Sequence, residues 1–378
     1  MGSTMGAPQG AMTERERVFA VLRGDIPDRT PWYGDLSWWH SARLRAGSLP
    51  PEFADAEAGY LRMHQAAGVG VYLYSPFIWQ QAYDETVAAE VSVEDGLTIT
   101  TVRTPVGEVR SAIRDLPDSG TGAYVEHFVK SPDDLPVVRW MAEHQRVAPN
   151  YEAFSRCDAL WGDQGFACAL SPVCTAPLQS FLTRLAGLET TLELLAEARP
   201  ELERTFAAME RADDPIFAII ADGPCLYVEF PENLSAEITG RRLMRTYCLP
   251  YWRTRIQQLH DAGKLVGIHN DGTLRGSLDL LIEAGFDVVE SATPAPVGDM
   301  SLQEISETAS GRIIVWGGLP GALFSPLYAD AMFEDFVREA LATFPRGSGF
   351  VLGVADQVPP DARFDRVCRV REIVDACG

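Results

Sequence analysis

The chain has 378 residues, 46% of them hydrophobic, and a formal net charge of −21. That charge argues against nucleic acid and anionic membrane surfaces as partners, because both call for clustered Lys and Arg, although a local Arg cluster still permits an anionic substrate. No apolar run is long enough to span a bilayer, and the start, MGSTMGAPQGAMTERER, has no apolar signal core, so a soluble, cytoplasmic protein is expected.

Residues 1–11 read as a flexible leader and 12–378 as a single domain. Thr13-Glu14-Arg15-Glu16 is a capping-box pattern ahead of Val18, Phe19 and Leu22, which predicts a first helix ending at Gly24. Short apolar segments then alternate with amphipathic ones. Strands are expected at 30–34, 70–74, 166–170, 225–229, 265–269, 287–291, 312–316 and 349–353. Helical runs are expected at 57–67, 177–185, 241–262, 274–284, 302–308, 329–343 and 363–376. About eight β-then-α units predict parallel strands closed into a (β/α)₈ TIM barrel with an N-terminal helical layer. An open doubly wound sheet would show a Gly-rich loop after its first strand, and TPWYGDLSWW is not one. Residues 87–115 break the alternation with period-two patterning and an Asp95-Gly96 hairpin signal. They predict an antiparallel insertion between the second and third strands, covering one barrel mouth. Seven cysteines without a CxxC pair predict scattered reduced thiols.

In such a barrel, chemistry collects on the loops after the strand carboxyl ends. KLVGIHND puts His269 at a strand end and Asp271 two residues on, a spacing that turns both side chains the same way if the strand geometry persists. The pair is half of a metal or acid/base site, or Asp271 caps the next helix with His269 as its neighbour. Glu229 closes CLYVE, and a carboxylate there costs desolvation unless a cation or donor compensates it, a metal in one reading and an Arg in the other. His269, Asp271 and Glu229 together would make a nitrogen–oxygen set for Zn²⁺ or a harder divalent ion. Asp356 closes FVLGVAD as a further ligand, a general acid/base or a turn cap, and Glu290 ends FDVVE in the same manner. Trp32, Tyr33, Asp35, Trp79, Ser171 and Asn233 stand at other strand ends as substrate-binding residues, or as core and rim.

These residues, with RERVFAVLRGDIPDRTPW, PENLSAEITGRRLMRTYCLPYW, GIHNDGTLRGSLDLLIEAGFDVVES, GRIIVWGGLP and GFVLGVADQVPPDARFDRV, resemble the uroporphyrinogen decarboxylase superfamily, which includes the corrinoid- and thiol-dependent methyltransferases. The resemblance spans roughly Thr13 to Val374 and implies the same barrel. The decarboxylases carry an Arg-rich segment after the first strand where this chain reads WYGDLSWWHSARLRAG, so haem-pathway decarboxylation is not expected. Arg43 and Arg45 are a partial substitute at best. The zinc methyltransferases carry a His-x-Cys pair and a second Cys near the last strand. Here His269 remains, while Asp271 and Asp356 stand where thiolates would.

The resemblance implies a metal-dependent transferase moving a methyl or small alkyl group, with a thiol or a corrinoid protein as partner and a homodimer as assembly. Its catalytic residues would be His269, Asp271, Asp356 and Glu229. The alternative is a metal-free decarboxylase or related lyase with His269 as proton donor and Arg43 or Arg45 binding a carboxylate. A third reading is a catalytically inactive barrel that binds a ligand or partner.

Overall fold

The computed structural model describes residues 11–73, 75–116 and 121–377, so the expected leader apart from Ala11, and Tyr74 of the expected second strand, lie outside the described residues. Its strands in chain order are β1 (Trp32–Asp35), β2 (Trp79–Tyr83), β3 (Ala88–Glu94), β4 (Leu97–Thr104), β5 (Gly107–Leu116), β6 (Thr121–Glu126), β7 (Gln145–Pro149), β8 (Ala169–Leu170), β9 (Tyr227–Phe230), β10 (Leu265–His269), β11 (Val288–Ala292), β12 (Ile314–Pro320) and β13 (Phe350–Gln357). Seven of them form one curled parallel sheet in the order β1-β13-β12-β11-β10-β9-β8. Helices fill most of the connections, as parallel neighbours require. The expected strand at 70–74 is reduced to single parallel bridges, Tyr33 with Gly70 and Val71 with Gly165. Backbone N–H groups of Gly70 and Phe166 donate to Trp32 O (2.8 Å) and Val71 O (3.0 Å). Gly70 is needed there because a Cβ would enter the Tyr33 ring.

Strand alternation divides the apolar residues into two cores. Val228, Phe230, Val266, Ile268, Val289 and Val315 face the helices, in a cluster that runs through most of the chain. Tyr227, Val288, Trp316 and Val351 face the concave side, where they join Tyr33, Tyr72, Phe166 and Cys168. The helix α1 (Glu14–Leu22) adds Val18, Val21 and Leu22 to this inner core. Its Thr13/Glu16 capping box is formed. The Trp316 ring lies 4.4 Å from Tyr72 and 5.4 Å, edge-on, from Tyr33. Aromatic rings thus floor the sheet, and the carboxylates stand above them.

Strands β3–β6 make a separate antiparallel meander. Asp95 and Gly96 both take positive φ (49° and 73°), as a tight hairpin turn requires. This sheet runs eleven residues past the expected end at Asp115, to Glu126. Val87, Val102 and Val109 pack on Val137, so its apolar face is turned to the helix Leu135–Glu143. Strands β2 and β7 form a further antiparallel pair.

Trp316→Ala should remove the centre of the inner core and lower stability by about 3–5 kcal/mol, read as a lower urea midpoint with native-like circular dichroism in water.

Candidate active site

His269 is the last residue of β10, and the registers of its neighbours decide what it meets. Across β11 it pairs with Glu290. Across β9 it is Gly267, two residues earlier, that pairs with Glu229. Glu290 therefore stands level with the imidazole and Glu229 one layer deeper. A Cβ at Gly267 would collide with the Tyr227 hydroxyl and the Glu229 carboxylate, so only glycine leaves room for them.

The Glu290 carboxylate, 1% exposed, is 2.5 Å from His269 Nδ1 and accepts a 2.7 Å hydrogen bond from the Tyr72 hydroxyl. This fixes Nδ1 as the proton-bearing nitrogen and turns Nε2 outward. Nε2 lies 3.4 Å from Asp356 Oδ1 and 4.0 Å from Asp271 Oδ2. One ligand atom from each of His269, Asp271 and Asp356 can be chosen so that all lie within 4.8 Å of one another. The two aspartates are 37% and 38% exposed against 12% for the histidine, so the trio opens outward.

Asp271 is not the cap of the following segment. The backbone N–H groups of Leu274 and Arg275 donate to Asp299. Asp35, 4% exposed, accepts from Gln357 Nε2 at 2.6 Å, next in sequence to Asp356, and from Ser37 N at 2.7 Å.

These groups shift one another. Burial opposes a charged imidazole, but Glu290, then Asp356 and Asp271, outweigh it and hold His269 well above its ordinary value. Burial pushes Asp356 up to about 7 against the pull of His269, with Glu290, Asp35 and Asp271 adding to the rise. Burial, and then the Glu290 charge, push Glu229 well above the carboxylate range, offset in part by the Tyr227 hydrogen bond.

The other expected site residues are placed differently. Trp32 is buried and stacked on Phe324, on the helix side of the sheet. Tyr33 is buried in the inner core and donates its hydroxyl to Glu14 O. Neither offers a face to a ligand. The Trp79 indole donates to Leu170 O at 3.0 Å and Ser171 bonds Thr175 at 2.7 Å, so both tie down the loop after β8. Asn233 is exposed, with φ 47°. Arg43 lies over the Trp39 ring and Arg45 is exposed. Glu229 does not join the trio, because its register sets it beneath the imidazole, bound to Tyr227.

Tyr72 and Gln357 are positioning residues that the sequence reading did not single out for this role. The Glu290 contact was hidden because strand register is not written in the sequence. Its one visible signal was an acid ending an apolar run, the signal that also marked Glu229.

Glu290→Gln should leave the fold intact while weakening whatever His269 holds, by about 10–100-fold for a metal ligand. Zinc titration of the purified variant reads this directly.

No family model matches the chain, and no curated protein matches it in sequence. Among solved structures, a methyltransferase from Methanosarcina mazei superposes with a TM-score of 0.63 at 14% identity, covering 97% of this chain and 99% of that one. A nitroalkane oxidase from Streptomyces ansochromogenes aligns over 54% of this chain and 53% of that one, at 16% identity and a TM-score of 0.27, which carries no argument. The chain thus has a methyltransferase-like fold, and no helix of the described residues is long and apolar enough to cross a membrane.

Proposed function

We propose that this chain is a metal-dependent transferase of a methyl or other small alkyl group. It would be built on a closed (β/α)₈ barrel in which residues 70–72 serve as the second parallel strand. The meander β3–β6 would then be an insertion between the second and third strands. The observation that carries the reading is the convergence of His269, Asp271 and Asp356, with Nδ1 of the histidine already committed to Glu290. The overall likeness to a solved methyltransferase supports the reaction class at the level of fold.

The donor set fits a divalent ion. One imidazole nitrogen and two carboxylates match zinc or a harder metal, and the outward opening leaves a position for substrate. A zinc ion held there would supply Lewis acidity, keeping a thiol acceptor in its thiolate form or polarising an oxygen of the substrate. The protein's own residues do the rest. Glu290, held by Tyr72, orients the imidazole. Asp356, held up to about 7, takes or returns a proton at the mouth when it is not a ligand. Asp35 and Gln357 buttress the strand that carries it. Glu229 is a buried supporting acid in this scheme. The acceptor or donor partner is a thiol or a corrinoid protein, by resemblance.

A second reading has one observation in its favour. Without metal, an imidazole held well above its ordinary value is a proton donor suited to a lyase. No arginine pairs with the trio to hold a substrate carboxylate among the described residues, which weighs against it.

Metal analysis decides between them. His269→Ala and Asp356→Asn should each lose most bound zinc and abolish turnover, whereas Glu229→Gln should keep its zinc. Stoichiometric zinc unaffected by either of the first two would overturn the metal reading.

A pH dependence follows with a definite sign. In the metal-free protein His269 and Asp356 retain protons that a ligand must lose. Zinc affinity should therefore rise with pH, about ten-fold per unit or more between about pH 6 and 7. Calorimetry in buffers of different ionisation heat should register net proton release.

A further inference from the structure

We propose that the mouth around His269 selects a small, positively charged substrate of the alkylammonium class and rejects anions. This deepens the function proposed above and rests on it for the location of the site.

Five carboxylates gather here, and their exposure falls inward from Asp271 and Asp356 at the opening to Asp35, Glu229 and Glu290 beneath. Among the described residues their ion pairs are with His269 alone, and no lysine or arginine comes within 4.0 Å of any of them. Elsewhere the chain pairs its acids with arginine, as in Arg241–Asp279 and Arg366–Asp330. The mouth is thus a place from which guanidinium groups are missing while acids accumulate.

A second observation concerns the bonding of one of these acids. Glu229 Oε1, in the layer beneath the imidazole, is buried and has no hydrogen-bond partner, so a polar carboxyl atom inside this field is left unanswered by the protein. Nor does a metal remove the imbalance. A divalent ion would bring two positive charges to five carboxyl groups, which leaves an acidic remainder. In a half-buried mouth that remainder acts through a lower effective dielectric than bulk water and sorts ligands by sign. A carboxylate, sulfonate or phosphate on the substrate would face it unaided. An alkylammonium head would be drawn in, with its alkyl groups set against the opening.

Choline, neohexanol and tert-butylacetate test this, since they present nearly one shape at three charges. Each is titrated calorimetrically into the full chain, once zinc-supplemented and once metal-stripped. In the metal-stripped protein choline should bind about ten-fold tighter than neohexanol, the tert-butylacetate anion (3,3-dimethylbutanoate) should show no binding, and the advantage of choline should shrink with added salt. Asp35→Asn should narrow the gap between choline and neohexanol in the metal-stripped protein. Equal or tighter binding of tert-butylacetate, or no binding by any of the three, overturns the proposal. If choline is preferred but zinc never binds, the metal reading fails and the charge selection stands. If zinc binds and tert-butylacetate is preferred, only the charge selection fails.

Discussion

The contact between Glu290 and His269 is the constraint on which the rest of the site depends. A carboxylate at 1% exposure is costly to ionise unless something answers it, and here an imidazole nitrogen at 2.5 Å and the Tyr72 hydroxyl do so. The imidazole in turn loses its rotational freedom and its choice of tautomer. Everything outside that bond is arranged around the one nitrogen left over. The aromatic floor beneath, with Trp316 against Tyr33 and Tyr72, keeps water from the inner side of the pair, so the bond is worth more than the same bond at the surface.

Much of the frame was legible in the sequence, and the reason is periodicity. Leu265–His269 is the strand that KLVGIHND suggests, and α1 begins at its capping box. Strand ends elsewhere moved by a few residues: β12 runs on to Pro320 and β13 to Gln357, because apolar, Gly-rich stretches hide where a strand stops. The segment 70–72 has the composition of a strand but forms only single bridges, an outcome set by its neighbours Tyr33 and Gly165.

The site was legible only residue by residue. His269, Asp271 and Asp356 were each visible as polar groups at strand ends, and the structure brings those three together. Glu229 carried the same signal and lies a layer below, because its strand pairs two residues out of step with the histidine. Register is a relation between strands, and no single strand records it. The aromatic residues Trp32 and Tyr33 illustrate a different limit: a flat ring beside a strand end reads alike whether it faces a ligand or the core, and only the tilt of the sheet separates the two.

The pairing of β1 with β13 has a consequence for how the molecule comes into being. Trp32 meets Leu352 and Tyr33 meets Gly353, contacts that join the two ends of the chain. The terminal helix adds Arg371 to Glu14 on the same seam. Asp35 and Asp356 therefore belong to the first and last strands of the parallel sheet in chain order, with His269 between them. Loop-closure entropy makes such a seam late to form. A nascent chain would carry its imidazole and its inner acids long before it could assemble the opening, so chemistry would begin only once the two ends had found each other.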